Sequence, residues 1–206
     1  MNHKEDYLKT KEKLDTAKEI IYLNKEEVIG IGLNMDDILD LTTDALIAHG
    51  KKETEMPAKI GVHPYKEVFY HAMPAYIPSK NAVGNKWVES YPFNPKKFNL
   101  PQTSGLLTIN DVSTGYPVGI MDAIWITAQR TPAVTTLSAL ALHPNAETFG
   151  MFGAGVQGTE HVKYMSHALK NLKEIHVFDT NEGAMDRLIS EVQPTISPKI
   201  IKSPSA

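Results

Sequence analysis

Three glycines and one aspartate carry the most legible chemistry in the chain. Gly153, Gly155 and Gly158 stand at G-x-G-x-x-G spacing in "TFGMFGAGVQGTEH", and Asp179 ends "KEIHVFD", 21 residues after Gly158. A phosphate-binding turn needs each glycine for its own reason. The first makes the tight turn, the second lets a pyrophosphate approach the backbone, and the third lets helix and strand pack closely. The helix that follows offers unpaired N–H groups and a partial positive charge to the phosphates. An acid at the end of the next strand binds both ribose hydroxyls of a dinucleotide and repels a 2′-phosphate, which favours NAD over NADP. A ligand-free tight turn is the competing reading of the glycines alone. The apolar strand before them and the helix after them weigh against it.

Three cations lie upstream: Lys59 in "MPAKIGV", Lys86 in "GNKWVESYPFN" and Arg130 in "ITAQRTPAV". Each sits in or beside an apolar segment, where a free cation is costly. Each therefore calls for a carboxylate, from a structural ion pair or from a substrate. His63, His71, His143 and His161 show no metal-ligand spacing and read as packing or surface residues, and Trp87 and Trp125 read as core. No serine stands in a G-x-S-x-G elbow, so a hydrolase has no support. The chain has no cysteine, which excludes disulfides, thiolate catalysis and Cys-ligated metal centres, and no metal is expected.

The elements that must position these groups follow from the hydrophobic pattern. Residues 1–19 are charged throughout and read as a solvated helix or frayed arm, and "EIIYLNKEEVIGIG" as a short strand and a turn. Asn34 caps a helix running to about Ala48, with Asp36 and Asp37 at its positive end. From Met56 the chain turns to short β-branched and aromatic runs broken by Pro, Gly and Asn, a signal for a small, mostly antiparallel sheet. Its clearest part is a hairpin, "LLTINDVSTGYPVGIM". A helix is expected over Ala133–Leu142, with Thr131 as its cap and Pro132 at its first position. The stretch from Thr148 onward reads β-α-β-α-β.

The expected fold class is therefore α/β. An N-terminal α+β substrate and dimerisation domain with a mostly antiparallel sheet (1–142) precedes the first half of a Rossmann-type dinucleotide-binding domain (143–206). The net charge of −3 argues against a nucleic-acid or anionic-membrane partner. The charged N-terminus has no apolar signal core, and no apolar run reaches 18 residues. A cytoplasmic protein is expected.

Taken in order, "MPAK", "HAMPAY", "KWVESYPFN", "GLLTINDVSTGYPVGIMDAIWITAQRT" and "FGMFGAGVQG" resemble the ornithine cyclodeaminase/mu-crystallin family over most of residues 56–206. The resemblance implies an NAD-dependent enzyme acting on an amino acid, with L-ornithine going to L-proline and ammonia through hydride transfer and an imine. Alanine dehydrogenase and reduction of a cyclic imine such as pyrroline-2-carboxylate are alternatives within the family. A non-enzymatic mu-crystallin-like binder or an inactive truncated fragment is another. By position, the resemblance implies that Arg130, Lys86 and Lys59 hold the substrate carboxylate. Lys86 also lies against substrate and nicotinamide, which makes it the catalytic candidate. It likewise implies that Gly153, Ala154, Gly155, Val156, Gly158, Thr131 and Asp179 contact the cofactor, and that the protein is a homodimer. The family pattern Arg-Thr-Ala-Ala is Arg-Thr-Pro-Ala here, a divergence at Pro132. Only the first half of a doubly wound nucleotide domain is legible, so the chain is expected to be a fragment of a longer protein, with the family's catalytic aspartate beyond residue 206.

Overall fold

A computed structural model describes residues 3–205, which form two compact units. The first lies within Met1–Gly32 and Asp44–Ile126, and the second within Leu33–Thr43 and Thr127–Ala206.

The first unit is built on a six-stranded sheet. Its strands are β1 (Ile21–Leu23), β2 (Ile60–Val62), β3 (Phe69–Ile77), β4 (Ala82–Ser90), β5 (Thr103–Asn110) and β6 (Pro117–Asp122), in the order β1-β6-β5-β4-β3-β2. All neighbours are antiparallel except the parallel pair β1/β6. The period of two sets the faces: on β4, Lys86, Val88 and Ser90 are buried while Trp87 between them is exposed. Trp87 is thus not a core residue, and its ring stacks on Tyr70 across the outer face. The β5–β6 hairpin is tied by the buried Asp111. Its Oδ1 accepts the backbone N–H groups of Ser113 and Thr114 and the Thr114 hydroxyl, and its Oδ2 accepts the Thr10 hydroxyl.

Two elements differ from the sequence expectation. The segment read as a turn after β1 is a helix, α2 (Lys25–Gly30), which follows the terminal helix α1 (His3–Lys11). The Asn24 side chain accepts the Glu27 N–H while the Glu27 carboxylate accepts the Asn24 N–H, a reciprocal cap that starts the helix. Helix α3 (Met35–Gly50) begins as expected, with the same reciprocal pair between Asn34 and Asp37. A short helix, α4 (Asn94–Phe98), links β4 to β5. The second difference is α5 (Ile124–Leu142), in which Pro132 is interior and not at the start. The Asp122 carboxylate accepts the Ile124 N–H and opens the helix two turns before the expected cap. Thr131 therefore caps nothing, and its hydroxyl donates back to the Thr127 carbonyl.

The second unit alternates strands and helices after α5. Strands β7 (Thr148–Phe152), β8 (Glu174–Phe178) and β9 (Lys199–Lys202) pair in parallel in the order β7-β8-β9. Helices α6 (Val156–Ala168) and α7 (Glu182–Val192) connect them. Val162, Met165 and Leu169 of α6 and Met185, Leu188 and Val192 of α7 close over Ile175, Val177 and Ile200 of the strands in one apolar core. This is the first β-α-β-α-β half of a Rossmann-type domain, as expected.

Candidate functional site

The glycine turn leaves the end of β7 and enters α6 within three residues. Gly153 has φ +94°, a conformation that side-chain-bearing residues rarely adopt. A Cβ on Gly158 would lie 2.0 Å from the Gly153 carbonyl oxygen, so only glycine lets α6 rest on the turn. Gly155 is different. Its φ of −81° suits any residue, and a Cβ built there meets nothing within 4 Å. The chain's own packing gives no reason for a glycine at this position, whereas a group lying directly on the backbone would. No side chain caps the N-terminus of α6. Phe152 and Val156 flank the turn with exposed apolar surface.

Asp179, one residue past β8, closes the turn. Its Oδ2 accepts the Ala154 N–H at 2.8 Å and its Oδ1 the Asn181 N–H at 2.8 Å. The bond from Ala154, then that from Asn181, hold its carboxyl below the ordinary carboxylate pKa against a smaller opposing effect of burial, and the charge of Arg187 adds to them. The group is therefore ionised at neutral pH. An ionised carboxylate has about four acceptor positions. Two are used by the backbone, which leaves room for a diol.

Gly153, Gly155 and Val156 are accessible along the turn and Asp179 is half-buried beside it, whereas Ala154 and Gly158 are buried. Arg130 and Thr131 lie on α5 of the same unit. Arg130 is solvent-accessible, makes no ion pair with the described residues, and has its pKa lowered by the protein that displaces water around it. In the first unit, Lys86 is buried on β4, and Lys59 immediately precedes β2 and is exposed. Lys86 pairs with Met73 of β3 and Leu107 of β5. His161, on α6, is held by two helices: Nδ1 lies 2.7 Å from the Gln157 carbonyl of its own helix and Nε2 3.0 Å from the Thr135 hydroxyl of α5. His71, expected to be a packing or surface residue, stacks on Phe69 on the Lys86 face of the sheet. Only strand register reveals that neighbourhood.

The second unit is the first half of a Rossmann-type α/β fold. The chain belongs to the ornithine cyclodeaminase/mu-crystallin family, whose model matches residues 20–204. It is 34% identical over 172 residues to the nodulation efficiency protein NfeD of Rhizobium meliloti, covering 83% of this chain and 53% of that protein. It is 29% identical to N-((2S)-2-amino-2-carboxyethyl)-L-glutamate dehydrogenase of Staphylococcus aureus, covering 85% of this chain and 55% of that one. Among solved structures it superposes on an archaeal alanine dehydrogenase dimer with bound NAD at a TM-score of 0.79, with 28% identity over 88% of this chain and 56% of that chain. The family includes cyclodeaminases, dehydrogenases and imine reductases. The chain spans about half the length of the curated relatives it matches. Among the described residues, no helix is long and apolar enough to cross a membrane.

Proposed function

We propose that the protein binds NAD in preference to NADP and serves hydride transfer at the Cα of an amino or imino acid. Cyclodeamination of L-ornithine to L-proline and ammonia is the family reaction to test first. L-Alanine oxidation and reduction of pyrroline-2-carboxylate are the alternatives. The observation that carries the reading is Gly155, a glycine that the fold does not need and that leaves the backbone open to a pyrophosphate.

The roles divide as follows. The backbone from Gly153 to Gly158 receives the pyrophosphate, assisted by the N-terminal field of α6. Asp179 receives the ribose hydroxyls of the adenosine half. Its charge disfavours a 2′-phosphate, which is the basis of the NAD preference. Thr131 contacts the cofactor from α5. When bound, NAD supplies the hydride acceptor that none of the side chains provides. Lys86 holds the substrate carboxylate and orients Cα; its burial makes that contact stronger than an exposed lysine would give. Lys59 and Arg130 are further carboxylate partners. We also propose self-association through the outer sheet face that exposes Trp87 and Leu106, to be read by sedimentation.

Titration of the 206-residue protein with NADH and NADPH, followed by release of L-proline and ammonia from L-ornithine with NAD, reduction of NAD with L-alanine and oxidation of NADH with pyrroline-2-carboxylate, tests the reading. Saturable NADH binding together with turnover in any one of the three reactions supports it. NADH binding without turnover of any substrate leaves only a binder. No NADH binding removes the reading altogether.

A further inference from the structure

Helix α7 carries its charges on two flanks. Ala184, Met185, Leu188 and Val192 face the core. On one flank, Glu182 and Asp186 stand one turn apart and share Lys202 of β9, whose Nζ lies 3.4 Å from the first carboxylate and 2.6 Å from the second. On the other flank, Gly183 and Arg187 stand one turn apart. Helical side chains lean towards the N-terminus of their helix, and Gly183 has no side chain to stand in the way. The Arg187 guanidinium therefore extends back over that glycine: its Nη1 lies 3.8 Å from the point where a Cβ on Gly183 would stand. The Asn181 side-chain oxygen lies 3.4 Å from the same point, and the Asn181 N–H is the one that Asp179 Oδ1 accepts at 2.8 Å. Arg187 thus reaches the Asp179 end of its helix. The bonds from Ala154 and Asn181 come first in lowering the Asp179 pKa, and the charge of Arg187 adds to them.

Arg187 is exposed, and its guanidinium makes no ion pair with the described residues. The acids of its own helix are held elsewhere, Glu182 and Asp186 by Lys202 and Glu191 by Lys163. The oxygens of Asp179 accept backbone N–H groups from Ala154 and Asn181. What remains is a planar fork of N–H donors, the shape that matches a phosphate. With the adenosine ribose on Asp179, the ribose 2′ oxygen comes to this end of α7. A 2′-phosphate brings about two negative charges to that carboxylate, and Arg187 is the cation placed to offset them. We infer that Arg187 is a second determinant of cofactor choice: its guanidinium takes the 2′-phosphate of NADP, so the site binds both dinucleotides and the preference for NAD left by Asp179 is narrow. This rests on the reading above, in which a dinucleotide lies on the glycine turn, and it sets a bound on the selectivity proposed there.

Titration of the 206-residue protein with NADH and NADPH, and with ADP and adenosine 2′,5′-bisphosphate as probes of the adenosine half, tests the inference. In Arg187→Gln, affinity for NADPH should fall about tenfold, the loss of a hydrogen bond to a charged group, while affinity for NADH changes by less than about twofold. Arg187→Lys should recover part of the loss, because it keeps the charge without the fork. Asp179→Asn should bind NADPH more tightly than the unmodified protein does, and Asp179→Asn combined with Arg187→Gln should not. Arg187 is exposed, so its substitutions should leave the denaturation midpoint unchanged. An NADH-to-NADPH ratio that Arg187→Gln does not move, an equal loss of both nucleotides, or no binding of either 2′-phosphorylated probe overturns the inference. NADH binding with a ratio indifferent to Arg187 removes this inference alone. Binding of adenosine 2′,5′-bisphosphate that depends on Arg187, in a protein that does not bind NADH, sustains the inference and removes the nicotinamide reading alone.

Discussion

Gly155 and Gly158 stand three residues apart, and substitution should separate their two demands. Gly158→Ala places a methyl group into the Gly153 carbonyl, a contact of backbone against backbone that no rotamer relieves. We expect it to destabilise the second unit by about 1–3 kcal/mol, the range for overpacking, read as a lower denaturation midpoint. Gly155→Ala introduces a methyl group into open space at a backbone angle any residue adopts. Its midpoint should stay within about 0.5 kcal/mol of the unmodified protein. NADH affinity should fall about tenfold or more, since the methyl group occupies the approach of the pyrophosphate. Equal NADH affinity in Gly155→Ala would remove the observation on which the cofactor reading stands. Asp179→Asn should keep an acceptor for the Ala154 N–H but lose the charge, so the NADH-to-NADPH affinity ratio should drop. An unchanged ratio would assign discrimination elsewhere. The glycine spacing and the acid were legible in the sequence because they are local. The bond between Asp179 and Ala154 was not, because it joins residues 25 positions apart across two strands.

At the scale of the element, the β5–β6 hairpin depends on one buried carboxylate. Burial pushes the Asp111 pKa up, but hydrogen bonds from the Thr114 hydroxyl, the Thr10 hydroxyl and the Thr114 and Ser113 N–H groups outweigh it and leave the pKa below its ordinary 3.8. A folded pKa below the unfolded one gives stability that is fully present above the unfolded value and is lost as pH falls through the folded value. Asp111→Asn should therefore cost about 1–3 kcal/mol at neutral pH, where the charge-assisted bonds are intact. The difference from the unmodified protein should shrink as pH is taken below 3.8, followed by denaturant midpoints. A difference independent of pH would mean that turn geometry, not charge, is what the aspartate provides. The hairpin itself was readable from its alternating strands around "DVSTG". Helix α2 was readable in principle, since Asn24 and Glu27 have capping-box spacing, but its few apolar residues gave no helical stripe. The first half of α5 was obscured by Pro132. Proline more often begins a helix than lies inside one, and the Asp122 cap that sets the true start belongs to the preceding strand. The exposure of Trp87 and the company of His71 are likewise facts of sheet register, which one strand's sequence does not contain.

For the whole molecule, the question is how the binding energy of a nucleotide is shared between two units that each have a core. In the second unit, Val162, Ile175, Val177 and Leu188 are sealed from water. In the first, Val28, Val68 and Val88 are buried beside the six-stranded sheet. A ligand that binds only the native turn stabilises whatever must unfold to release it, by about 2.7 kcal/mol at a hundredfold excess over Kd. For a chain of this size that corresponds to a melting shift of about 5–10 °C. The residues of the turn and Asp179, to which cofactor binding is proposed, all belong to the second unit. Amide exchange should therefore slow most at β7, β8, α6 and α7 when NADH is added, and little in β3, β4 and β5. An equal gain in both units would show that they open as one cooperative body, coupled through α3 and α5, whose residues are divided between them. Absence of any gain at saturating NADH would mean that the native turn does not hold the nucleotide.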